Sequence, residues 1–131
     1  MTSTEFGPVR PLDAQGLAAT PAGERFVQRL LNRESGASDC SVTLIRTPAG
    51  GGSPEGLHRH DFEQVFHLIE GTMKIEVEGE VSEVHAGSIV VFPKGVAHRN
   101  WNAGSEPTLH LAIAAPAPPV GETGTYPVRP A

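Results

Sequence analysis

Short apolar runs recur along the middle of this chain, each stopped by a turn signal before it reaches the length of an ordinary helix. In TMKIEVEG, Met73, Ile75 and Val77 alternate with polar neighbours, the period of a strand with one buried face. Gln64 to Ile69 is a similar run closed by Glu70-Gly71, and EVSEVH carries Val81 and Val84 before Ala86-Gly87. SIVVF is apolar throughout after its serine, which predicts a strand covered on both faces; it stops at Pro93-Lys94-Gly95. AHRNWN and TLHLAIAA complete the set.

Upstream, RFVQRLLNR admits two readings. A helix started at Thr20-Pro21 would gather Phe26, Val27, Leu30 and Leu31 on one face; a strand would pair with the β-like CSVTLIRT across the turn residues SGASD, and that following pattern favours the strand. About eight strands at intervals of about 8 to 12 residues, with no long helix, predict an all-β antiparallel sandwich or barrel. Residues 23–116 form this barrel domain, residues 1–22 read as an N-terminal arm ordered only by docking, and residues 117–131 as a Pro-rich, flexible C-terminal tail in which Tyr126 can anchor a neighbouring subunit.

Length and composition narrow the function. A chain of 131 residues builds one core and leaves no room for a second module. Ten Lys and Arg against 15 Asp and Glu give a net charge of −5, without the electrostatic footprint for nucleic acid or an anionic membrane, so a small molecule or another protein is the expected partner. No stretch approaches the roughly 20 apolar residues of a membrane span and no secretory leader is visible, so a cytoplasmic protein is expected. Cys40 is the only cysteine, which excludes an intrachain disulfide and reads as a small core residue.

The chemistry concentrates in GLHRHDFEQVFHLIEG. On a strand, His58 and His60 face one side and Arg59 the other, and continued parity brings Gln64 to the histidine face and Glu63 to the opposite one. Glu63 becomes the substitute if the register shifts by one residue. His-x-His alone is a common surface pattern. Downstream, however, GSIVVFPKGVAHRNWN ends a strand at Pro93, turns at Gly95 and opens the next strand with His98, where a return strand would bring it to the first pair. Three imidazoles with one open side make a catalytic-type metal site.

At these positions the chain resembles a small single-domain cupin. Gly52, His58, His60 and Gly71 match that family's first motif, with Gln64 in the place of its glutamate, and Gly87, Pro93, Gly95, His98 and Asn102 match its second. The resemblance implies a jelly-roll β-barrel in which His58, His60, Gln64 and His98 hold one divalent metal ion, with Asn102 tying down a turn. Zn, Ni, Mn, Fe and Cu all suit such ligands. With a neutral amide replacing a carboxylate, a charge of about +2 stays uncancelled, which favours Lewis-acid chemistry on a small oxygenated, anionic or sugar-derived substrate over oxygen activation. An isomerase, lyase or cyclase is therefore expected, with a metal-dependent dioxygenase and a non-enzymatic small-molecule binder as alternatives.

The remaining polar residues receive secondary roles. His110 is a candidate general acid or base beside the ion, assisting a metal-bound water, or else a satisfied core histidine. Phe66 and Leu68 share the parity of Gln64 and would line the cavity. His67 is expected between sheets or at a subunit interface, His85 and Lys94 in exposed turns, and Arg99 and Trp101 outside the cavity. A homodimer is expected, because pairing or covering edge strands removes their tendency to aggregate and small cupins commonly pair.

Overall fold

The computed structural model describes residues 7–36, 39–53 and 56–128; the first six residues of the expected arm and the last three of the expected tail lie outside the described residues. The strands are β1 (Phe26–Leu31), β2 (Ser41–Thr47), β3 (His58–His60), β4 (Glu63–Glu70), β5 (Thr72–Val77), β6 (Glu80–His85), β7 (Ile89–Phe92), β8 (His98–Trp101), β9 (Thr108–Ala115) and β10 (Thr125–Pro127), with, among the described residues, a short α-helix, α1 (Ala14–Ala19), and a 3-10 turn at Arg33–Ser35. They form two five-stranded antiparallel sheets, ordered β1-β2-β9-β4-β7 and β10-β3-β8-β5-β6. The all-β antiparallel architecture is the one the periodicity predicts. Among the described residues no helix is long and apolar enough to cross a membrane.

One end of the space between the sheets is filled by large apolar side chains. Phe66 and Leu68 of β4, Met73 and Ile75 of β5, Val84 of β6 and Val90 and Phe92 of β7 form the core, with the Phe66 and Phe92 rings edge to face at 5.0 Å. Their alternation follows the pleat, as at β5, where Met73 and Ile75 are buried between more exposed neighbours. Within RFVQRLLNR, Phe26–Leu31 is a strand and pairs with β2 in the expected way. Strand formation there follows from the partner: Phe26 stands opposite Arg46, and Gln28 opposite Leu44.

Some burial expectations change once the strands are placed in their sheets. SIVVF is not covered on both faces: β7 is an edge strand, Val90 and Phe92 point into the core, and Ile89 and Val91 are 66% and 48% exposed. In β6, read as a strand carrying both valines, Val81 and Val84 take opposite faces, being an odd number of residues apart, so Val84 is buried and Val81 exposed. His67 stands opposite Ile89 and Leu111 on the outer face of the first sheet, not between the sheets. Cys40 is half-buried rather than in the core.

The segment read as a flexible tail is part of the barrel from residue 125 to residue 127. β10 pairs with β3, setting Thr125 opposite His60 and Pro127 opposite His58. The described residues of the arm contact the barrel through hydrogen bonds. Arg46 donates to the carbonyls of Leu17, Thr20 and Pro21, Arg10 donates to that of Leu30, and the Asp13 amide donates to the Gln28 side chain. Asn102 ties down the neighbouring turns: its buried amide donates to Thr47 O and Glu106 O and accepts from the Gly104 amide.

Candidate metal centre

Two turns bring three histidines together. Gly52 lies so close to β8 that a Cβ there would sit 2.7 Å from the Asn100 carbonyl, which anchors the chain entering β3. Gly95, with φ of 81°, reverses the chain between β7 and β8. The outcome is that His58 and His98 stand directly opposite one another on paired strands, with His60 on the same face as His58. All three are buried, and one nitrogen from each lies within 4.8 Å of the others.

The other ring nitrogen of each imidazole is already committed. His58 Nδ1 donates to Gly56 O at 2.6 Å and His98 Nδ1 to Val96 O at 3.0 Å, and a carbonyl can only accept. His60 Nδ1 meets Thr125 Oγ1 at 2.9 Å; since that hydroxyl donates to Thr123 O, it receives the His60 proton. Neutral imidazoles so placed turn three Nε2 lone pairs toward one another. His60 Nε2 is buried and has no hydrogen-bond partner among the described residues.

Gln64 enters from the opposite sheet and not, as continued parity predicts, from the histidine strand, because the chain leaves β3 at Asp61-Phe62 before entering β4. With its amide oriented as found, Oε1 lies 3.3 Å from His98 Nε2. Neither atom carries a proton when His98 is neutral, so two lone pairs face each other across a gap that a shared cation fits. That donor set, closed by oxygen contacts on every far nitrogen, is the arrangement metal-binding histidines require. Glu63 is exposed and points away. Phe62 and Phe92 stack on His60 and His98, with ring centroids 4.4 Å and 4.1 Å apart, and fix the imidazole planes.

The cluster borders a cavity of about 140 Å³, lined also by Ile45, Phe66, Asn100, Thr125, Arg25 and His110. His110 is only 1% exposed and neither of its ring nitrogens has a hydrogen-bond partner among the described residues. Burial, and then the charge of Arg25, push its pKa down to about 4. Burial likewise brings His60 and His98 to about 4, each with a further lowering from neighbouring imidazoles, His58 and His98 for His60 and His58 for His98. Leu68 is wholly buried in the core and does not line the cavity, whereas Phe66 does. Arg99 stacks on Trp101 at 4.5 Å and pairs with Glu76 on the outside. His85 and Lys94 are exposed.

Thr125 and Arg25 are the site residues that sequence reasoning passed over. Thr125 had a weak local signal, a β-branched and an aromatic residue following Gly124, but lay in a stretch dominated by proline and glycine. Arg25 had none, since its place depends on which strand lies beside β2.

Two outcomes follow from this geometry. For His60, His98 and His110 the folded pKa of about 4 lies below the ordinary 6.5, so the unfolded chain takes up protons first as pH falls. Stability is full above pH 6.5 and declines toward pH 4. Urea midpoints of chelator-treated protein across that range should fall accordingly, and a flat profile would contradict the assignment. Replacing Thr125 by Val removes the oxygen that orients His60 and should weaken divalent-metal binding about 10- to 100-fold in a competition titration, with little change in fold.

The family model described as Cupin domain matches residues 43–114, a span that contains every histidine of the cluster together with Gln64 and His110. The polyketide synthase CurC of Streptomyces cyaneus is 29% identical over 72 residues, covering 52% of this chain and 47% of that protein, so the chain spans about half the length of the curated relative it matches. The polyketide cyclase RemF of Streptomyces resistomycificus superposes with a TM-score of 0.67 at 22% identity, over 82% of this chain and 73% of that one. A conserved Klebsiella pneumoniae protein with a double-stranded β-helix domain gives 0.65 at 22%, over 97% of this chain and 94% of that one. At these identities the solved structures establish the fold alone, and they agree with the two-sheet barrel. Because the family match extends over more than half of its length, the chain belongs to the Cupin domain family.

Proposed function

We propose that this cupin is a metal-dependent, redox-neutral enzyme that closes a carbon ring in a substrate carrying neighbouring carbonyl groups. The observation that carries the reading is the presence, on one cavity, of four convergent uncharged donor atoms and of a buried histidine with both ring nitrogens free of partners among the described residues. The names of the cyclase RemF and the polyketide synthase CurC support ring closure over isomerisation or elimination.

His58, His60, His98 and Gln64 would hold the ion. A divalent ion there supplies a Lewis acid whose charge of about +2 no carboxylate offsets, which suits an enolate-like oxygen better than a higher oxidation state. His110 handles the proton. Its neutral imidazole has one lone-pair nitrogen, which takes a proton from the carbon between two carbonyls. The electron pair left behind forms a bond to the carbon of a second carbonyl, whose oxygen then receives the proton from the imidazolium. One C–H bond breaks, one C–C bond forms, a proton moves from carbon to oxygen, and no oxidant is consumed. Ile45 and Phe66 keep the apolar side of the cavity dry.

The test is turnover of a synthetic poly-β-ketone thioester by metal-loaded protein, followed by absorbance and mass spectrometry in an oxygen electrode. Cyclised product without oxygen uptake is expected, and His110→Gln should lower kcat by about 10²- to 10⁴-fold while metal content stays unchanged. Oxygen uptake would favour the dioxygenase alternative instead, and tight binding without turnover the non-enzymatic binder.

The proposal includes a homodimer. The outer face of the first sheet presents Ile89 and Val91 of β7 beside Val65, with Ile113 and Leu111 of β9 next in line, an apolar surface on an edge strand that a second copy would cover. Sedimentation velocity should give a dimer that Val91→Glu converts to monomer; a monomeric unaltered protein would remove this part of the proposal.

A further inference from the structure

The inner cavity does not end at the histidines. It shares Arg25, Ile45 and Gln64 with an adjoining chamber of about 470 Å³ that runs along the inner face of β1 and β2. Ala112 and Ala114 of β9 line the chamber, and their small side chains leave room that larger ones there would fill. Val27 and Phe62 supply further apolar wall. The two charged residues on its lining are Arg25 and Arg29, which flank Val27, and no described acidic residue lines either space.

These arginines are unusual in this chain. Its net charge is −5, yet neither guanidinium makes a hydrogen bond or ion pair among the described residues, whereas Arg46 holds the arm and Arg99 pairs with Glu76. Arg25, just before β1, and Arg29 on it have equal parity, their Cα atoms about 13 Å apart along an extended chain, so their long side chains can converge on one carboxylate lying between them. Arg25 lines both the histidine cavity and the chamber, and Arg29 lines the chamber but not the cavity. A guanidinium favours a carboxylate, which it can grip through two parallel hydrogen bonds.

We propose that the inner face of β1 is the substrate's recognition surface and that Arg25 and Arg29 select an elongated, apolar-bodied organic carboxylate, whose body lies over Ala112 and Ala114 and whose inner oxygens reach the histidines. This rests on the functional reading in taking the cavity as the substrate's, but not on a bound metal or on turnover.

The test uses 2-naphthoate and the uncharged 2-naphthalenemethanol as probes, titrated calorimetrically into the protein as purified and after chelator treatment. The acid should bind at least about tenfold more tightly than the alcohol in both preparations, as expected for a charge-assisted contact. Arg25→Gln and Arg29→Gln should each reduce that preference and the double variant should abolish it; Arg99→Gln, outside the chamber, should leave it intact. Because both positions lie at the surface without partners, the variants should melt as the parent does. A preference unchanged in the double variant, or one present only before chelation, would overturn the proposal, the latter by assigning the carboxylate to the metal. Failure of the cyclase reading alone would leave the acid preference in place.

Discussion

The orientation of three imidazoles is the constraint on which the rest of the site depends. A histidine whose Nδ1 proton is held by oxygen has a defined tautomer, and its Nε2 lone pair points where the ring points. Here the holding oxygens come from the chain just before β3, from the turn before β8 and from β10. The turn glycines, the β3–β8 pairing and the final strand therefore all act on one small volume. Stacking of Phe62 and Phe92 on two of the rings removes their remaining rotational freedom.

A barrel of this size has to serve as core and as container. Large apolar side chains from β4, β5, β6 and β7 provide the burial that stabilises the fold, while the small Ala112 and Ala114 of β9 leave space beside them. The histidines sit at the junction, buried by the core yet bordering the cavity. Their burial disfavours the imidazolium form, so the same packing that stabilises the barrel keeps lone pairs available near neutral pH.

Charge follows the same division. The chain is acidic overall, but the described lining of the inner spaces contains arginine and histidine and no carboxylate. With Gln64 in place of a glutamate, the donor set does nothing to neutralise a cation, and the surroundings add positive charge rather than remove it. An interior of that sign is suited to stabilising negative charge as it develops on oxygen. This electrostatic bias links the proposed proton transfer at His110 to the proposed selection of an acid by Arg25 and Arg29.

Local sequence determined a good deal about this protein. Alternation in TMKIEVEG and the runs around it specified strands, glycine and proline placed the turns, and parity put His58 and His60 on one face, because a strand's side-chain period is a local property of its backbone; Gln64 meets them from the other sheet, across the break at Asp61-Phe62. What the tertiary structure decided is which strands lie at an edge and what lies beside each face. Ile89 and Val91 read as buried and are exposed because β7 ends its sheet; Thr125 read as tail and supports His60 because β10 joins β3; Arg25 and Arg29 read as part of an ambiguous segment and face the cavity because β1 lies beside β2. Each of these depends on pairing between residues distant in the chain, and pairing is decided by how whole sheets pack, which no window of neighbouring residues contains.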